Sequence, residues 1–481
     1  MQYKPVLRVL GVFLMLHSLG LLPPLAISVS LQDGHWRDFF YTFLLSLGGG
    51  FLLWWSFRQA KHELRRHEGF LIVASFWLVL SAVSAIPFIL GPHLNFFDAF
   101  FEATSAFTTT GATVITGLDE LPKSVLFYRQ ELQWLGGMGI IVLAVAVLPL
   151  LGMGGMQLYR AETTGPFKEE KLTPRIAHTA RSFILIYLGM TLLCALAYII
   201  AGMSVFDAVA HSLSTVSTGG FSTYDASMGH FNSLSIELIA GFFMLMGAVN
   251  FSLHYLAIHK LHLRAYFASP ETRVFLAIIA SVVLLCALTL TFHQTYPDFL
   301  TSLRHATFTT ISIITSSGYT TENFAAWPVS LPVLLIFISF VGGCAGSTAG
   351  GMKVIRFILL FKQGHREIIR LIHPAIVMPI KVGRRVVSDE VTKGVWSFFA
   401  LYVAIFTLVM LVLMAGGADQ VTAFAAVATT LNNLGPGLGE VSSNFQSVPD
   451  WQKLLLSLCM LLGRLELFTL IIFFMPAFWR R

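Results

Sequence analysis

Ten stretches of mostly apolar residues recur along the chain, near 6–30, 39–57, 70–90, 132–152, 182–202, 234–258, 272–292, 331–361, 395–415 and 452–478. A helix that crosses a bilayer needs about 20 such residues, so each run is expected to be one spanning helix. Charged residues make up only 12% of the 481, against about 25% in an ordinary soluble domain, which is too few to coat a water-facing surface. The expected class is therefore an all-α integral membrane protein. The first run is bounded by Lys4 and Arg8 and has no small-residue cleavage site after Ser30, so it reads as a retained helix and not a signal peptide.

Basic residues set the expected sidedness, because cytoplasmic loops accumulate Lys and Arg. With a cytoplasmic N-terminus, 25 of the 31 Lys and Arg residues fall on inner segments, nine of them in 353–393. The outer segments keep Arg37, Lys123, Arg129, Arg304 and Lys453, and Arg464 lies inside the last apolar run. Both termini are thus expected to be cytoplasmic. Carboxylates including Asp98, Asp119, Asp225, Glu322, Asp419 and Glu440 fall on the outer side, which would attract cations. The net charge of +6 follows from this inward sorting and implies no nucleic-acid partner. Cys194, Cys286, Cys344 and Cys459 have no CxxC spacing and are expected to be free thiols.

The outer segments are too long for turns and too apolar for exposed loops, and they repeat. FDAFFEATSAFTTTGATV (97–114), FDAVAHSLSTVSTGGFS (206–222), RHATFTTISIITSSGYTT (304–321) and VTAFAAVATTLNNLGPGLGE (421–440) align without gaps. Ala99, Ala208, Ala306 and Ala423 coincide, as do Ser105, Ser214, Ser312 and Thr429, and then Gly111, Gly220, Gly318 and Gly435. Repeats of this length in a membrane chain signal internal symmetry. About ten helix-compatible residues precede each glycine, enough at ~1.5 Å per residue to reach half-way across a ~30 Å hydrocarbon core. Irregular backbone at that depth must be buried in protein or line a wet cavity, so the four segments are expected to converge on one axis.

The expected architecture is four parallel helix, re-entrant loop, helix units around a central pore, 70–181, 182–271, 272–393 and 394–481, with a two-helix hairpin, 1–69, outside the plan. A cation in such a pore must recover its hydration energy, and rings of backbone carbonyls or hydroxyls do this without fixed charge. The turns offering them comprise Thr109, Thr110, Gly111 and Ala112; Thr218, Gly219, Gly220 and Phe221; Ser316, Ser317, Gly318 and Tyr319; and Asn433, Leu434, Gly435 and Pro436. Glycine makes the required backbone angles cheap, and the negative end of each short helix dipole would face the ion. Oxygen ligands without carboxylates favour a monovalent ion over Ca²⁺.

Residues 341–353, VGGCAGSTAGGMK, put five glycines into the second helix of the third unit, each lowering helix stability by up to ~1 kcal/mol relative to Ala, so the helix should break there. A phosphate-binding GxxxxGK[ST] loop is excluded, since Gly346 and Gly351 are followed by Met352 and only then Lys353. Arg464 lies in the middle of the last apolar run, in MLLGRLELF (460–468), and a cation so placed usually faces the bundle interior or a watery cavity. Glu466 is expected on another helix face, and Arg464 beside the broken stretch. His254, His259 and His262 match one helix face only partly and are not expected to bind a metal. No Ser-His-Asp, HExxH or paired-carboxylate pattern supports an enzyme.

The four glycine turns, the run 133–166 and the run 341–353 resemble the Trk/Ktr/HKT superfamily of potassium transporters, and the N-terminal hairpin and the 133–166 run favour its bacterial Trk branch. The resemblance covers essentially the whole chain. It implies K⁺ selectivity by the sixteen turn residues, with one filter glycine per turn and hence weaker discrimination among K⁺, Rb⁺ and Na⁺ than a TVGYG filter gives. It also implies a mobile intramembrane gate at Gly342, Gly343, Gly346, Ser347, Thr348, Gly350, Gly351 and Lys353, with Arg464 beside it. A homodimer in the bacterial inner membrane and a cytoplasmic nucleotide-binding regulatory subunit follow from the same resemblance, with K⁺ as the transported ion and no tightly bound cofactor. The segments 153–181 and 353–393 are expected docking surfaces. An H⁺- or Na⁺-coupled secondary transporter remains the second reading.

Overall fold

The computed structural model describes residues 3–60, 66–142, 172–260, 263–328, 330–383 and 385–480. The chain begins with α1 (Tyr3–Leu19), α2 (Leu22–Leu31) and α3 (Trp36–Ser56). Gly11 and Gly50 bring α1 and α3 together, each glycine's missing Cβ leaving room for the other's carbonyl, the close approach that small residues permit between membrane helices. This hairpin lies against α4 (Arg66–Ser84), α5 (Ile86–Leu90) and, beyond α6 (Phe96–Phe107), α7 (Lys123–Val142).

Next come α8 (Leu172–Ile200), α9 (Val205–Val216), α10 (Leu234–Ala248), α11 (Phe251–Lys260) and α12 (Arg264–Ala268). They are followed by α13 (Pro270–Phe292), α14 (Phe299–Ile314), α15 (Leu331–Val341) and α16 (Val354–Ile372). A two-stranded antiparallel ribbon, Lys381–Val382 with Arg385–Val386, precedes α17 (Asp389–Ala415), α18 (Gln420–Leu431), α19 (Asp450–Arg464), α20 (Phe468–Ile471) and α21 (Pro476–Trp479).

The short helices α6, α9, α14 and α18 start where an Asn, Ser or Asp can cap them. Asn95, Ser204, Asp298 and Asp419 accept backbone N–H groups of Asp98, Asp207, Thr301 and Val421 with Thr422 respectively, satisfying donors that the first helical turn leaves open. Each short helix is wedged between the helix that follows it and the corresponding helix of the preceding unit: α6 between α7 and α19, α9 between α10 and α7, α14 between α15 and α10, α18 between α19 and α15. The last unit closes on the first, so the arrangement is a ring. Enclosure explains composition: Ala423, Ala425, Ala426 and Ala428 on α18 are at most 2% exposed, because larger side chains would not fit between two flanking helices.

Six of the ten expected spans are uninterrupted or nearly so: Tyr3–Leu31, Trp36–Ser56, His67–Leu90, Thr179–Ile200, Pro270–Phe292 and Asp389–Ala415. Of the other four, three differ from simple helices. The run 234–258 bends by 99° between α10 and α11, and the run 452–478 bends by 113° between α19 and α20. In both, a glycine (Gly247, Gly463) lies against the carbonyl of a short helix's last residue, Val216 or Leu431, and the helix turns aside just beyond it. The run 331–361 breaks at the glycines, as expected. Of the run 132–152 only the part up to Val142 is described, and 143–171, including most of the first expected docking surface, lies outside the described residues.

Candidate functional site

The four glycine turns share one backbone. Each short helix ends four residues before its glycine, and the residue two before the glycine is left-handed: Thr109 at φ 55°, Thr218 at 53°, Ser316 at 52° and Asn433 at 54°. The next amide, of Thr110, Gly219, Ser317 or Leu434, donates back to Ser105, Ser214, Ser312 or Thr429 at 2.8–2.9 Å. These are the residues of the aligned hydroxyl column, and the bond is the six-residue closure that caps helix C-termini. Glycine usually takes the left-handed position; hydroxyl or amide residues hold it here at a cost of about 1–3 kcal/mol each. The glycines themselves stand two residues later, at φ 78–95°.

Those glycines hold the ring together. A Cβ on Gly111 would overlap the carbonyl oxygen of Gly219, one on Gly220 that of Ser317, and one on Gly318 that of Leu434; one on Gly435 would lie 2.8 Å from Thr110 O. Four carbonyls, one from each unit, thus abut the glycine of the neighbouring unit in cyclic order. Two of the side chains that follow the glycines have partners away from this ring: Phe221 lies under the Arg129 guanidinium at 4.1 Å, and the Tyr319 hydroxyl donates to His211 O at 3.3 Å. Ala112 is buried, and the Pro436 ring lies near Gly318.

On one side of the ring is a mouth of about 380 Å³, bordered by all four glycines and carrying Asp225 and Glu322. Its wall is braced by a fully buried ion pair, Arg129 with Glu102 at 2.8 Å. Glu102 also accepts Val114 N–H at 3.0 Å, and Arg129 donates to Thr113 Oγ1 at 3.0 Å and Ser222 O at 3.3 Å. Arg129, which the charge sorting assigns to an outer segment, is a strut behind the first two turns.

On the other side, residues 342–353 pass directly beneath the helix ends. Thr348 Oγ1 donates to Gly247 O at 3.0 Å and Val216 O at 3.3 Å. Thr218 Oγ1 donates to Thr348 Oγ1 at 3.2 Å, Gly350 N–H donates to Ser316 Oγ, and Gly351 N–H donates to Asn432 O at 3.0 Å. Gly342, Gly346, Gly351 and Lys353 all have positive φ, so the segment is neither helix nor strand. Cys344 N–H donates to Ala248 O at 2.9 Å, Phe251 N–H donates to Gly346 O at 3.0 Å, and Glu271 Oε1 accepts Ala345 N–H at 2.8 Å. Gly343 packs against Ala248 O, and Ser347 Oγ donates to Cys344 O at 2.5 Å.

Under this segment lies a small chamber of about 50 Å³ bordered by Lys353, Arg356, Arg464 and Glu466. Lys353 Nζ donates to Ala349 O. Arg464 is 4% exposed; it donates from Nη1 to Thr348 O at 2.8 Å, while Nε and Nη2 have no partner among the described residues. Glu466 does not sit on another face of the same helix. The helix ends at Arg464, Glu466 and Leu467 have positive φ, and Glu466 pairs with Arg356 at 2.5 Å. The structure therefore brings the residues expected to form a filter and those of the glycine run within hydrogen-bonding reach of one another. His254 is occupied by Tyr266 OH and Met246 O, and His262 lies outside the described residues. Asn432, Glu271, Arg356 and Gln133 join the site without having been singled out by the sequence pattern. Only Asn432, next to the aligned turn, carries a signal there.

A membrane protein built on four re-entrant turns around a closed ring defines an ion-pathway class of fold. The cation transport protein family TrkH matches residues 35–481, and the chain belongs to that family. It is 52% identical to the Trk system potassium uptake protein TrkH of Vibrio parahaemolyticus and 49% to that of Escherichia coli K12, with all of each chain covered. The crystal structure of the potassium transporter TrkH from Vibrio parahaemolyticus superposes with a TM-score of 0.93 at 50% identity, all of both chains covered. The chain is a multi-pass membrane transporter.

Proposed function

We propose that this protein is the K⁺-conducting membrane subunit of a bacterial K⁺ uptake system, driven by the electrochemical gradient. The ring of Thr110, Gly219, Ser317 and Leu434 carbonyls between Gly111, Gly220, Gly318 and Gly435 carries the reading. It offers uncharged oxygens to an ion that has shed water. The mouth with Asp225 and Glu322 faces outward, gathers cations, and leads through the ring to the segment 342–353, which blocks the path as a gate. Arg464 holds that gate by Thr348 O and places a guanidinium beneath the pathway, opposing a cation until the segment moves.

The remaining features fit the same scheme: a homodimer in the bacterial inner membrane, both termini cytoplasmic, four units plus the N-terminal hairpin, and a cytoplasmic nucleotide-binding subunit acting on 353–393. The relatives' names, potassium uptake proteins of a Trk system, support the choice of ion. The test is ⁸⁶Rb⁺ uptake into proteoliposomes holding the purified protein. Uptake competed by K⁺ but not by choline is expected; uptake equally sensitive to both, or none even with the regulatory subunit and nucleotide present, would overturn the reading.

A further inference from the structure

The four ring carbonyls are not equivalent. Gly219 O accepts a hydrogen bond from the Gln133 side-chain amide at 2.7 Å, whereas the carbonyls of Thr110, Ser317 and Leu434 accept none among the described residues. Gln133 belongs to α7, the second helix of the preceding unit, and is 0% exposed. Its other amide atom, Oε1, accepts from Ser214 Oγ at 2.6 Å and Phe221 N–H at 3.1 Å. The partners fix the amide's orientation, because a carbonyl requires the NH₂ end and a backbone N–H requires the oxygen.

The same contact explains a sequence oddity. Only the second turn has glycine just before the aligned glycine; the others have Thr110, Ser317 and Leu434. Gly219 does not have a positive φ, so backbone freedom is not what selects it. A Cβ there would overlap Gln133 Cδ and Oε1. In the first and third turns the residue's own hydroxyl braces the turn, Thr110 Oγ1 with Thr108 Oγ1 at 2.7 Å and Ser317 Oγ with Thr315 Oγ1 at 2.9 Å. In the second, the side chain is absent and Gln133 braces the turn from outside.

We propose that Gln133 is a positioning residue that sets ion selectivity by sharing one of the four ring carbonyls. An oxygen already engaged by an amide offers a weaker field to an ion, and field strength is one of the quantities that separate K⁺ from Na⁺. Gln133 also keeps Gly219 from closing on a smaller ion. Its loss therefore shifts preference toward Na⁺. This rests on the ring being the filter, and the test separates the two ideas.

The experiment measures K⁺ and Na⁺ competition for ⁸⁶Rb⁺ uptake in proteoliposomes of the full chain, with monodispersity checked for each variant. Gln133→Met is expected to lower the K⁺ over Na⁺ preference about fivefold, the scale of one hydrogen bond's net contribution, while uptake persists. Gly219→Ser alone should abolish most uptake by collision with Gln133, and Gly219→Ser with Gln133→Ala should restore at least half, since it rebuilds the third turn's arrangement. Gly318→Ser, whose added Cβ would meet Leu434 and Pro436 and not Gln133, is the control for the ring. If Gly318→Ser changes selectivity but Gln133→Met leaves it within twofold, the role of Gln133 is refuted and the filter stands. If neither changes it, the filter reading itself falls. A double variant no better than Gly219→Ser, or failure of both Gln133 variants to fold, would reduce Gln133 to a structural residue and overturn the proposal.

Discussion

The two cavities that flank the ring differ in size and in sign. The mouth holds about 380 Å³ and presents Asp225 and Glu322, and the one cation bordering it among the described residues, Arg129, is neutralised by Glu102. The chamber beneath holds about 50 Å³ and, among the described residues, is bordered by Lys353, Arg356 and Arg464 with Glu466 as the carboxylate. On the function proposed above, a path that favours cations at one end and disfavours them at the other, with a non-helical segment between, would separate recognition from release, the chamber side changing while the ring and mouth keep their form. The chemistry of support differs accordingly. Behind the mouth, buried bonds are made by side chains of regular helices; the chamber is bordered by residues of positive φ and by a guanidinium whose Nε and Nη2 have no partner among the described residues.

The contrast can be broken from either side. The largest effect is expected from Gly220→Ala, whose Cβ would overlap Ser317 O: K⁺ over Na⁺ selectivity should be lost or uptake fall by at least ~100-fold, since the ring cannot close. Measured competition profiles that match wild type would show that the ring is not the selective element. Next in size, Arg464→Ala removes the guanidinium from Thr348 O and should raise ⁸⁶Rb⁺ leak in the absence of any regulator by about tenfold, on the order of one buried charge-assisted hydrogen bond. Unchanged basal flux and unchanged regulation would place the barrier elsewhere.

Glu102→Gln tests the rigid side. It leaves Arg129 buried and unpaired, which typically destabilises a protein by about 3–5 kcal/mol; a lowered melting temperature with a broadened selectivity profile is expected from thermal unfolding and flux assays on the same preparation. A variant as stable as wild type would mean that the pair is not what stiffens the mouth. The smallest effect belongs to Glu322→Gln, which removes one mouth carboxylate. Uptake should fall about twofold at low ionic strength and recover at high salt, because such attraction is screened. A salt-independent loss would assign Glu322 a direct role in binding.

Much of the ring is legible in the amino-acid sequence alone. The glycine column and the hydroxyl column six residues earlier align because each position meets the same backbone demand four times, a closing hydrogen bond at Ser105, Ser214, Ser312 and Thr429 and a positive φ at the glycine. The break at 342–353 is legible for the same local reason. The bends at 249–250 and 465–467 are not, because nothing in the apolar run distinguishes a helix that continues from one that meets a neighbouring helix end at Gly247 or Gly463. Glu466 departs from its expected place for that reason: helical spacing does not carry past Arg464, where the helix has already ended. Gln133 and Arg129 give no local sign, since their partners Gly219 and Ser222 lie 86 and 93 residues away.

By itself, then, the sequence determined that the chain spans a membrane, that four short helices end in equivalent glycine turns, and that one spanning helix must break, because apolar length, backbone angle and helix propensity act within a few residues. Only the tertiary structure decided which carbonyl abuts which glycine, that Gln133 engages one of the four, and that Arg464 rests on Thr348 rather than on a carboxylate. Those outcomes depend on how helices from different units pack around a common axis, and packing between residues a hundred positions apart leaves no periodic mark on the chain.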